Sequence, residues 1–407
     1  SGSTHAMARL GLFTGEPKLM YKVKTYNAIA EKGLSRFPTD AYQVGPEMDN
    51  PDAYILRSHK LHGEPLPGTL CAIARAGAGV NNIPVEECSA RGIVVFNTPG
   101  ANANAVKELV VTGMLMACRD ISAGIAYVRN LEEMDDDTLA RLLEVEKKRF
   151  AGSELQGKTL GVVGLGAIGA LVANLAIELG MDVVGYDPAI SVEAAWRLSR
   201  RVENMDSFEA LLARADFVTL HVPAIESTHH LINQQKLGLM KQGSVLLNFA
   251  REQVVDAEAV LAALDSGRLR RFVTDFPTSS MAHRTDVIPM PHIGASTAEA
   301  EENCAMMAAD QLMEFLRDGN IHNSVNYPST SMARMGSSRI TFSNRNVPKV
   351  LGSVLSLLAD GNINVVDMIN RSRDELAYNI IDVEADVSDQ LRTDIAAVDG
   401  VISLRII

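Results

Sequence analysis

The chain of 407 residues carries 50 acidic side chains and 38 lysines and arginines, which gives a formal net charge of -12. This excess of negative charge argues against nucleic acid or an anionic membrane as a partner, because a polyanion is bound by a basic field. The length predicts two or three domains, and the hydrophobic fraction of 47% is sufficient to bury their cores.

The start of the chain and its cysteines indicate a cytoplasmic protein. Residues 1–6 resemble an expression remnant before a natural start at Met7, and no secretory signal is recognised there. The cysteines are far apart in sequence and form no CxxC pair, so we expect reduced thiols and no metal site. They are Cys71, Cys88, Cys118 and Cys304.

The first third of the chain alternates short apolar runs with turn residues. The apolar runs 53–56, 70–75 and 93–97 are predicted strands, and 85–91 is a predicted helix. This alternation is typical of βαβ units on a parallel sheet. Residues 104–128 follow as one long, mostly apolar helix.

A second α/β region begins at residue 157, and a smaller module ends the chain. A second doubly wound sheet is predicted from a helix at 254–264 and from strands at 160–163, 182–186, 217–221, 245–248, 272–274 and 287–290. Residues 329–338 are small and polar, which favours a linker. Residues 339–407 then give strand, helix, strand, strand, helix, strand, which is the order of a ferredoxin-like α+β module.

The glycine-rich run GLGAIG at 164–169 is the strongest local signal. It follows an apolar strand, opens a helix, and is followed about 18 residues later by Asp187 at the end of a second strand. Gly164 permits a tight turn, Gly166 lets a pyrophosphate approach the backbone, and Gly169 lets the helix approach the strand. The pattern predicts NAD rather than NADP, because a carboxylate at 187 would repel a 2′-phosphate.

Together with three further motifs, this run resembles the D-isomer-specific 2-hydroxyacid dehydrogenase family. The motifs are LHVP at 220–223, NFAR at 248–251 and PHIGAST at 291–297, in the family's order and spacing. The resemblance extends from about Tyr54 to Asn326. It implies an α/β enzyme that uses NAD to remove hydride from C2 of a 2-hydroxy acid.

The resemblance places the catalytic roles on Arg251 and His292. A guanidinium is suited to bidentate binding of the substrate carboxylate, and an imidazole can accept the hydroxyl proton near neutral pH. The implied cofactor site comprises Gly164, Gly166, Ala167, Ile168, Gly169, Asp187, His221, Val222, Pro223, Phe249, Ala250, Arg251, Asp275, His292, Gly294 and Ala295.

Asn346, Pro348 and Leu351 are followed by GNIN at 361–364. With these residues the C-terminal module resembles the ACT module, which marks the phosphoglycerate dehydrogenase branch of this family. The implied substrate is therefore 3-phosphoglycerate, and the implied reaction is the first step of L-serine biosynthesis. The phosphate requires positive charge, and the expected substrate site comprises Arg57, Ser58, Arg75, Ala76, Gly77, Asn102 and Lys148. Lys148 stands in a charge run that is equally compatible with a solvated face.

Two departures from the family pattern are visible. The glutamate that pairs with the catalytic histidine is replaced by Ser279 or Ser280, so the pair is missing or another carboxylate such as Asp286 replaces it. In the module, Lys349 stands where the family has glycine. L-serine as an effector at Asn344, Asn346 and Asn364 and a role in subunit contact alone therefore remain equally open.

The expected fold class is α/β, with two doubly wound parallel-sheet domains and the ferredoxin-like module. A flavodoxin-like substrate domain comprises 7–103 and 293–328, and a Rossmann-type cofactor domain comprises 104–292. The linker is 329–338, and the ACT-like regulatory or oligomerisation domain is 339–407. We expect a homodimer or homotetramer, with contact through the helix at 104–128.

Two other functions are compatible with the same motifs. The chain could reduce glyoxylate, hydroxypyruvate or another 2-keto acid, which a substrate panel would reveal. It could instead be an NAD(H)-sensing, corepressor-like binding protein. Turnover that is lost in a His292→Ala variant that still binds NADH would exclude that second alternative.

Overall fold

The computed structural model describes residues 11–12 and 20–407, so the expected start at Met7 lies outside the described residues. The chain forms two compact units. The second unit is Ala103–Thr297, and the first combines the described residues up to Asn102 with Ala298–Ile407.

In the first unit, a short strand β1 (Gly11–Leu12) precedes a parallel sheet of five strands. Side chains of the strand 53–56 alternate between two cores, with Ala53 and Ile55 in one and Tyr54 and Leu56 in the other, as expected for a sheet covered on both faces. The strands are β2 (Tyr21–Thr25), β3 (Tyr42–Gly45), β4 (Ala53–Leu56), β5 (Ala72–Arg75) and β6 (Val94–Phe96), and the helices between them are α1 (Glu31–Leu34) and α2 (Val85–Ala90). The strand order β3-β2-β4-β5-β6 is that of flavodoxin-like folds.

The second unit opens with two helices in place of the single helix predicted at 104–128. These are α3 (Ala103–Cys118) and α4 (Ile121–Arg129), which meet at an angle of 72°. Asp120 begins α4 with non-helical backbone angles, and its carboxylate is paired with Arg271 of the same unit. Helix α5 (Asp136–Glu146) and a 3₁₀ turn (Lys147–Phe150) complete the segment.

Within residues 11–12 and 20–407, no single helix has the length and apolar composition to cross a membrane, although the bent pair of α3 and α4 satisfies both criteria when taken together.

The rest of the second unit is a parallel sheet of seven strands with connecting helices. The strands are β7 (Thr159–Val163), β8 (Asp182–Tyr186), β9 (Val202–Asn204), β10 (Phe217–Leu220), β11 (Ser244–Asn248), β12 (Leu269–Thr274) and β13 (Val287–Pro289). The helices are α6 (Ala167–Glu178), α7 (Val192–Arg197), α8 (Phe208–Arg214), α9 (Gln234–Leu239) and α10 (Ala257–Asp265). The order β9-β8-β7-β10-β11-β12-β13 is the Rossmann order extended by one strand. Its switch point lies between β7 and β10, where ligands bind outside the carboxyl ends of the strands.

Helix α11 (Ala298–Asp318) returns the chain to the first unit and leads to the C-terminal module. The module consists of β14 (Ser338–Arg345), α12 (Val350–Asp360), β15 (Val365–Arg373), β16 (Leu376–Val383), α13 (Asp389–Ala396) and β17 (Val401–Ile406). Its sheet has the order β1-β17-β14-β16-β15, which apart from β1 is the ferredoxin-like arrangement. The predicted fold class, two doubly wound sheets with a ferredoxin-like module, is therefore confirmed.

One face of the module's sheet contacts the C-terminal end of α11. Arg405 donates hydrogen bonds to the carbonyl oxygens of Phe315 (3.0 Å) and Leu316 (2.6 Å), and the Tyr378 hydroxyl donates to that of Gly319 (2.8 Å). The last carbonyls of a helix have no intrahelical partner. The module therefore supplies part of the cap of α11.

A buried ion pair fixes the same junction. Arg339 on β14 and Asp382 on β16 have no exposed side-chain surface and share two hydrogen bonds of 2.6 and 2.9 Å. Arg339 also donates to the carbonyl oxygens of Asp318 and Met332. Burial alone would raise the pKa of Asp382, but the hydrogen bonds from Arg339 and from the Met335 amide hold that pKa below its usual range.

Candidate active site

The glycine-rich loop between β7 and α6 has the backbone that a dinucleotide site requires. Gly164 has a φ of 88°, and a Cβ there would lie 2.6 Å from the carbonyl oxygen of His221. A Cβ on Gly169 would collide with the carbonyl oxygen of Gly164, so the helix can approach only because residue 169 is glycine. At Gly166, a Cβ would meet no protein atom within 4 Å, which leaves room for a phosphate at the helix start.

Asp187 lies at the end of β8, beside this loop. Its Oδ2 accepts a hydrogen bond from the Leu165 amide (2.8 Å) and its Oδ1 accepts one from the Ala189 amide (2.9 Å). A carboxylate has about four lone-pair sites, so these bonds leave capacity for the hydroxyls of a ribose. Ala167 and Ile168 form the first turn of α6 next to the same loop.

His221 follows β10 at the same edge of the sheet, ahead of Val222 and Pro223. Its Nε2 lies 2.9 Å from Thr219 Oγ1, and its Nδ1 is buried with no hydrogen-bond partner among the described residues. Burial lowers the pKa of His221 to about 3, so its ring is neutral at physiological pH. The ring therefore adds no charge to this edge.

Arg251 projects from the turn after β11. Asn248 shapes this turn, because its Nδ2 donates to the Arg251 carbonyl oxygen (2.9 Å) and its Oδ1 accepts from the Ala250 amide (3.1 Å). Phe249 is buried in the core below. Arg251 itself is exposed, and no carboxylate of residues 20–407 pairs with its guanidinium. It can therefore bind the carboxylate of a substrate.

Asp275 holds the loop that presents His292. Its buried carboxylate accepts hydrogen bonds from the amides of Ile293 and Gly294, both at 2.8 Å, and its carbonyl oxygen accepts one from the His292 amide. His292 has a φ of 54°, a region that non-glycine residues rarely occupy and that is concentrated at functional sites. Its imidazole is exposed, with its centroid 4.8 Å from that of the Phe276 ring.

Asp286, the carboxylate that could replace the family's glutamate as partner of His292, pairs with another residue. Asp286 accepts hydrogen bonds from Arg284 on both carboxylate oxygens (2.8 and 2.7 Å), and these bonds lower the pKa of Asp286. Ser280 lies in an exposed turn, where its hydroxyl is 2.8 Å from that of Thr278. In the described part of the chain, no carboxylate forms an ion pair with His292. The turn beyond Gly294 continues through Ala295.

The first unit places Arg57 and Arg75 at the carboxyl ends of two neighbouring strands of its sheet. Arg57 follows β4, and Arg75 ends β5 opposite Leu56. The Arg75 guanidinium donates to the carbonyl oxygens of Arg57 (3.0 Å) and Gly79 (2.5 Å) and so joins the two loops. The Arg57 guanidinium instead lies 2.7 Å from the carboxylate of Glu301 on α11.

The remaining expected substrate residues are divided between the units. Ser58, Ala76, Gly77 and Asn102 belong to the first unit, where the first three follow the same two strands as the arginines. Lys148 belongs to the 3₁₀ turn of the second unit. Its neighbours in sequence pair with glutamates of α5, whereas Lys148 is exposed and forms no ion pair with any described residue.

The three asparagines expected to bind an effector are not brought together within one chain. Asn344 on β14 is opposite Ala377 of β16, and Asn364 accepts the amide of Glu384 on its carbonyl oxygen. From 377 to 384 is seven residues, or about 23 Å along a strand. Asn346 is on the Asn344 side, where its amide donates to the carbonyl oxygen of Asp374.

Three residues of this geometry were not expected from the sequence as site residues. Asn248 could have been identified, because asparagine at the end of a strand commonly bonds the backbone of the turn that follows. Phe276 and Glu301 have no comparable local signal. Glu301 meets Arg57 across 244 positions (301 − 57), which only the fold reveals.

Comparison with known proteins gives one matching family model. The model describes "D-isomer specific 2-hydroxyacid dehydrogenase, NAD binding domain" and matches residues 114–294. D-3-phosphoglycerate dehydrogenase of Methanocaldococcus jannaschii is 36% identical over 306 residues, which cover 74% of this chain and 55% of the relative. The enzyme of the same name from Haemophilus influenzae is 32% identical over 351 residues, which cover 83% of this chain and 81% of the relative.

Solved structures of two dehydrogenases are among those similar to this chain. The apo form of Rhodotorula graminis D-mandelate dehydrogenase is 26% identical with a TM-score of 0.63, over 77% of this chain and 100% of that one. NAD+-bound 3-phosphoglycerate dehydrogenase of Entamoeba histolytica is 25% identical with a TM-score of 0.56, over 75% of this chain and 99% of that one.

Proposed function

The chain belongs to the D-isomer specific 2-hydroxyacid dehydrogenase family, and we propose that it oxidises 3-phospho-D-glycerate to 3-phosphohydroxypyruvate, the first step of L-serine biosynthesis. The chain is an NAD-dependent dehydrogenase. The choice of substrate rests on Arg57 and Arg75, two guanidinium groups at one sheet edge of a chain whose relatives are named for phosphoglycerate. The chain spans 55% of the length of the Methanocaldococcus relative.

The residues of the second unit fit NAD. The space over Gly166 accommodates a pyrophosphate, and the Asp187 carboxylate has free acceptor sites for ribose hydroxyls. A 2′-phosphate would meet the negative charge of Asp187, which favours NAD over NADP. When bound, NAD accepts the hydride that leaves C2 of the substrate.

Arg251 and His292 perform the remaining chemistry of the oxidation. Arg251 binds the substrate carboxylate through paired N–H donors and polarises the C2 oxygen. His292 accepts the proton of the C2 hydroxyl as the carbonyl forms, and returns it in the reverse direction. Asp275 positions His292 through the three backbone bonds around it, so the imidazole keeps its place without a carboxylate partner.

Arg57 and Arg75 bind the phosphate, with Ser58, Ala76, Gly77 and Asn102 as neutral contacts. Arg57 supplies a side chain that extends from the sheet edge, whereas Arg75 mainly supplies charge because its guanidinium also bonds the loop carbonyls. Lys148, an exposed cation of the 3₁₀ turn, is a further proposed contact of the phosphate.

We assign a homo-oligomer to the protein, either a dimer or a tetramer. Helices α3, α4 and α5 expose large apolar side chains, among them Leu115, Ile125 and Val145. Residues of α4, α5 and the 3₁₀ turn line a groove of about 610 Å³. An exposed apolar patch of this kind marks a protein interface. A monomeric mass by light scattering at micromolar concentration would contradict the assignment.

L-serine is the proposed effector of the C-terminal module, and its site requires two copies of the chain. Asn344 and Asn346 lie at one end of the sheet and Asn364 at the other, whereas β15 is an edge strand available for pairing. A two-fold axis perpendicular to this edge strand pairs β15 with its copy in antiparallel fashion and so brings opposite ends of two modules together. Calorimetry with L-serine and, as control, D-serine tests the site, and an absence of heat would leave the module with subunit contact alone.

The substrate is tested by initial rates of NADH formation with 3-phosphoglycerate, D-glycerate and D-lactate, with a carbonyl trap to remove product. Activity restricted to the phosphorylated acid is the expected result. Activity on the unphosphorylated acids alone would overturn the phosphate site and favour a general 2-keto-acid reductase.

The catalytic role is tested with His292→Ala. Turnover should fall by about 10²–10⁴-fold, the usual contribution of a general base, whereas NADH affinity should change little. Trp196 is the chain's only tryptophan and is 85% exposed on α7, so energy transfer from it can be used to report NADH binding. Unchanged NADH binding without wild-type turnover on any acid would favour the NAD(H)-sensing alternative.

A further inference from the structure

Glu301 forms an ion pair with Arg57, the arginine that binds the substrate phosphate in the proposed function. Its Oε1 lies 2.7 Å from Arg57 Nη1, and both side chains are more than two-fifths exposed. The other acids near the start of α11 do not share this position, because Glu302 pairs with Lys32 of α1 and Glu299 is exposed to solvent. Arg57 therefore already meets a carboxylate of its own chain.

The backbone around Arg57 is firmly held, so the side chain is the part that can respond to a ligand. The Arg57 carbonyl oxygen accepts hydrogen bonds from Arg75 (3.0 Å) and from Asn82 (3.2 Å). The next two amides, of Ser58 and His59, both donate to Asn27 Oδ1. Only the exposed guanidinium is free to exchange one anion for another.

We propose that Glu301 sets the affinity of the enzyme for the phosphate of its substrate by competing for the Arg57 guanidinium. The inference rests on the proposed function, in which Arg57 binds that phosphate. An arginine has five N–H donors, so a phosphate can bind beside the carboxylate or displace it. In either case the Glu301 charge opposes a phosphate that itself carries nearly two negative charges.

The alternative role of Glu301 is to order the Arg57 side chain for its ligand. An exposed ion pair contributes little to side-chain order, because solvent screens it and its entropy cost is similar in size. Repulsion between one carboxylate and a doubly charged phosphate a few ångströms away is the larger effect. Competition therefore outweighs ordering, and Glu301 lowers rather than raises phosphate affinity.

The test compares Glu301→Gln with Glu302→Gln, a matched control that removes the same charge from the next residue of the helix. In Glu301→Gln, the KM for 3-phosphoglycerate should fall by about three- to tenfold, and inorganic phosphate should inhibit more strongly by a similar factor. The kcat and the affinity for NADH should stay within twofold of wild type. Glu302→Gln should leave all four quantities within twofold.

A KM for 3-phosphoglycerate that is unchanged or raised in Glu301→Gln would overturn the competition. Arg57→Met separates this failure from failure of the proposed function. If Arg57→Met raises the KM for 3-phosphoglycerate while Glu301→Gln has no effect, the phosphate site stands and only the role of Glu301 is lost. If the wild-type enzyme does not turn over 3-phosphoglycerate, or Arg57→Met leaves its KM unchanged, the phosphate site itself is contradicted.

Discussion

The glycine-rich loop of the second unit and the junction between α11 and the C-terminal module are stabilised in different ways. The loop depends on backbone geometry, because Gly164 and Gly169 allow approaches that a Cβ would prevent. The junction depends on side chains distant in sequence, chiefly Arg339 with Asp382 and Arg405 with the end of α11. The first kind of feature is encoded by neighbouring residues, and the second exists only once the fold has formed.

The largest expected effect is at the junction, in Arg339→Met. The substitution leaves Asp382 buried without its partner, and breaking a buried pair in this way costs about 3–5 kcal/mol. Urea unfolding would measure the loss. Arg317→Met is the matched control, because Arg317 pairs with Asp318 at the surface of the same helix end and should contribute at most about 1 kcal/mol.

Equal stabilities of Arg339→Met and Arg317→Met would show that the buried pair does not fix the module. The double variant Arg339→Met with Asp382→Leu is a second test of the buried pair. Replacing both charges by apolar groups should restore part of the loss, because no unpaired charge then remains.

The second prediction gives Gly169 and Gly166 of the loop different roles in stability and in NADH binding. Gly169→Ala should lower both the melting temperature and NADH affinity, the latter by about 100-fold, because the loop must move to relieve the collision with the Gly164 carbonyl. Gly166→Ala should lower NADH affinity alone, since its Cβ meets no protein atom and obstructs only a pyrophosphate. Loss of stability in both variants, or in neither, would contradict these separate roles.

The same difference explains how much could be predicted from the sequence. The strand before the loop, the loop and Asp187 were predicted because each obeys a local rule of periodicity, backbone freedom or spacing. The break between α3 and α4 was not, because the ion pair beside it joins Asp120 to Arg271, 151 positions away in the sequence. The strands β2 and β3 were also missed, since their half-buried patterns lack the continuous apolar runs of β4 and β5. The Arg57–Glu301 contact lies beyond any sequence pattern, as the two residues meet only in the folded first unit.

The third prediction concerns the dependence of stability on pH in the second unit. The pKa of His221 in the folded protein is about 3, below the ordinary value of about 6.5, so the unfolded chain binds the proton first as pH falls. Stability from this group therefore decreases from about pH 6.5 toward pH 3, by at most about 1.4 kcal/mol per pH unit. His221→Asn should show a flatter decrease than wild type between pH 7 and pH 5 in urea unfolding.

His283→Asn is the control for this experiment, because His283 is an exposed histidine of the same unit. Its curve should follow that of wild type. A wild-type curve that is already flat from pH 7 to pH 5 would mean that His221 gains its proton in the folded state, contrary to its burial.

The smallest expected effect is a gain in stability on substitution of Lys349, which has a backbone conformation that favours glycine. Lys349 precedes α12 with a φ of 77°, and a non-glycine residue in this left-handed region costs roughly 1 kcal/mol. Lys349→Gly should therefore stabilise the protein by about 0.5–1 kcal/mol in urea unfolding. Lys349→Ala removes the same charge but retains a Cβ, so it should give no gain. Equal stabilisation by both variants would assign the effect to the lysine charge. The left-handed backbone at Lys349 would then cost no more free energy than the same region costs a glycine such as Gly164.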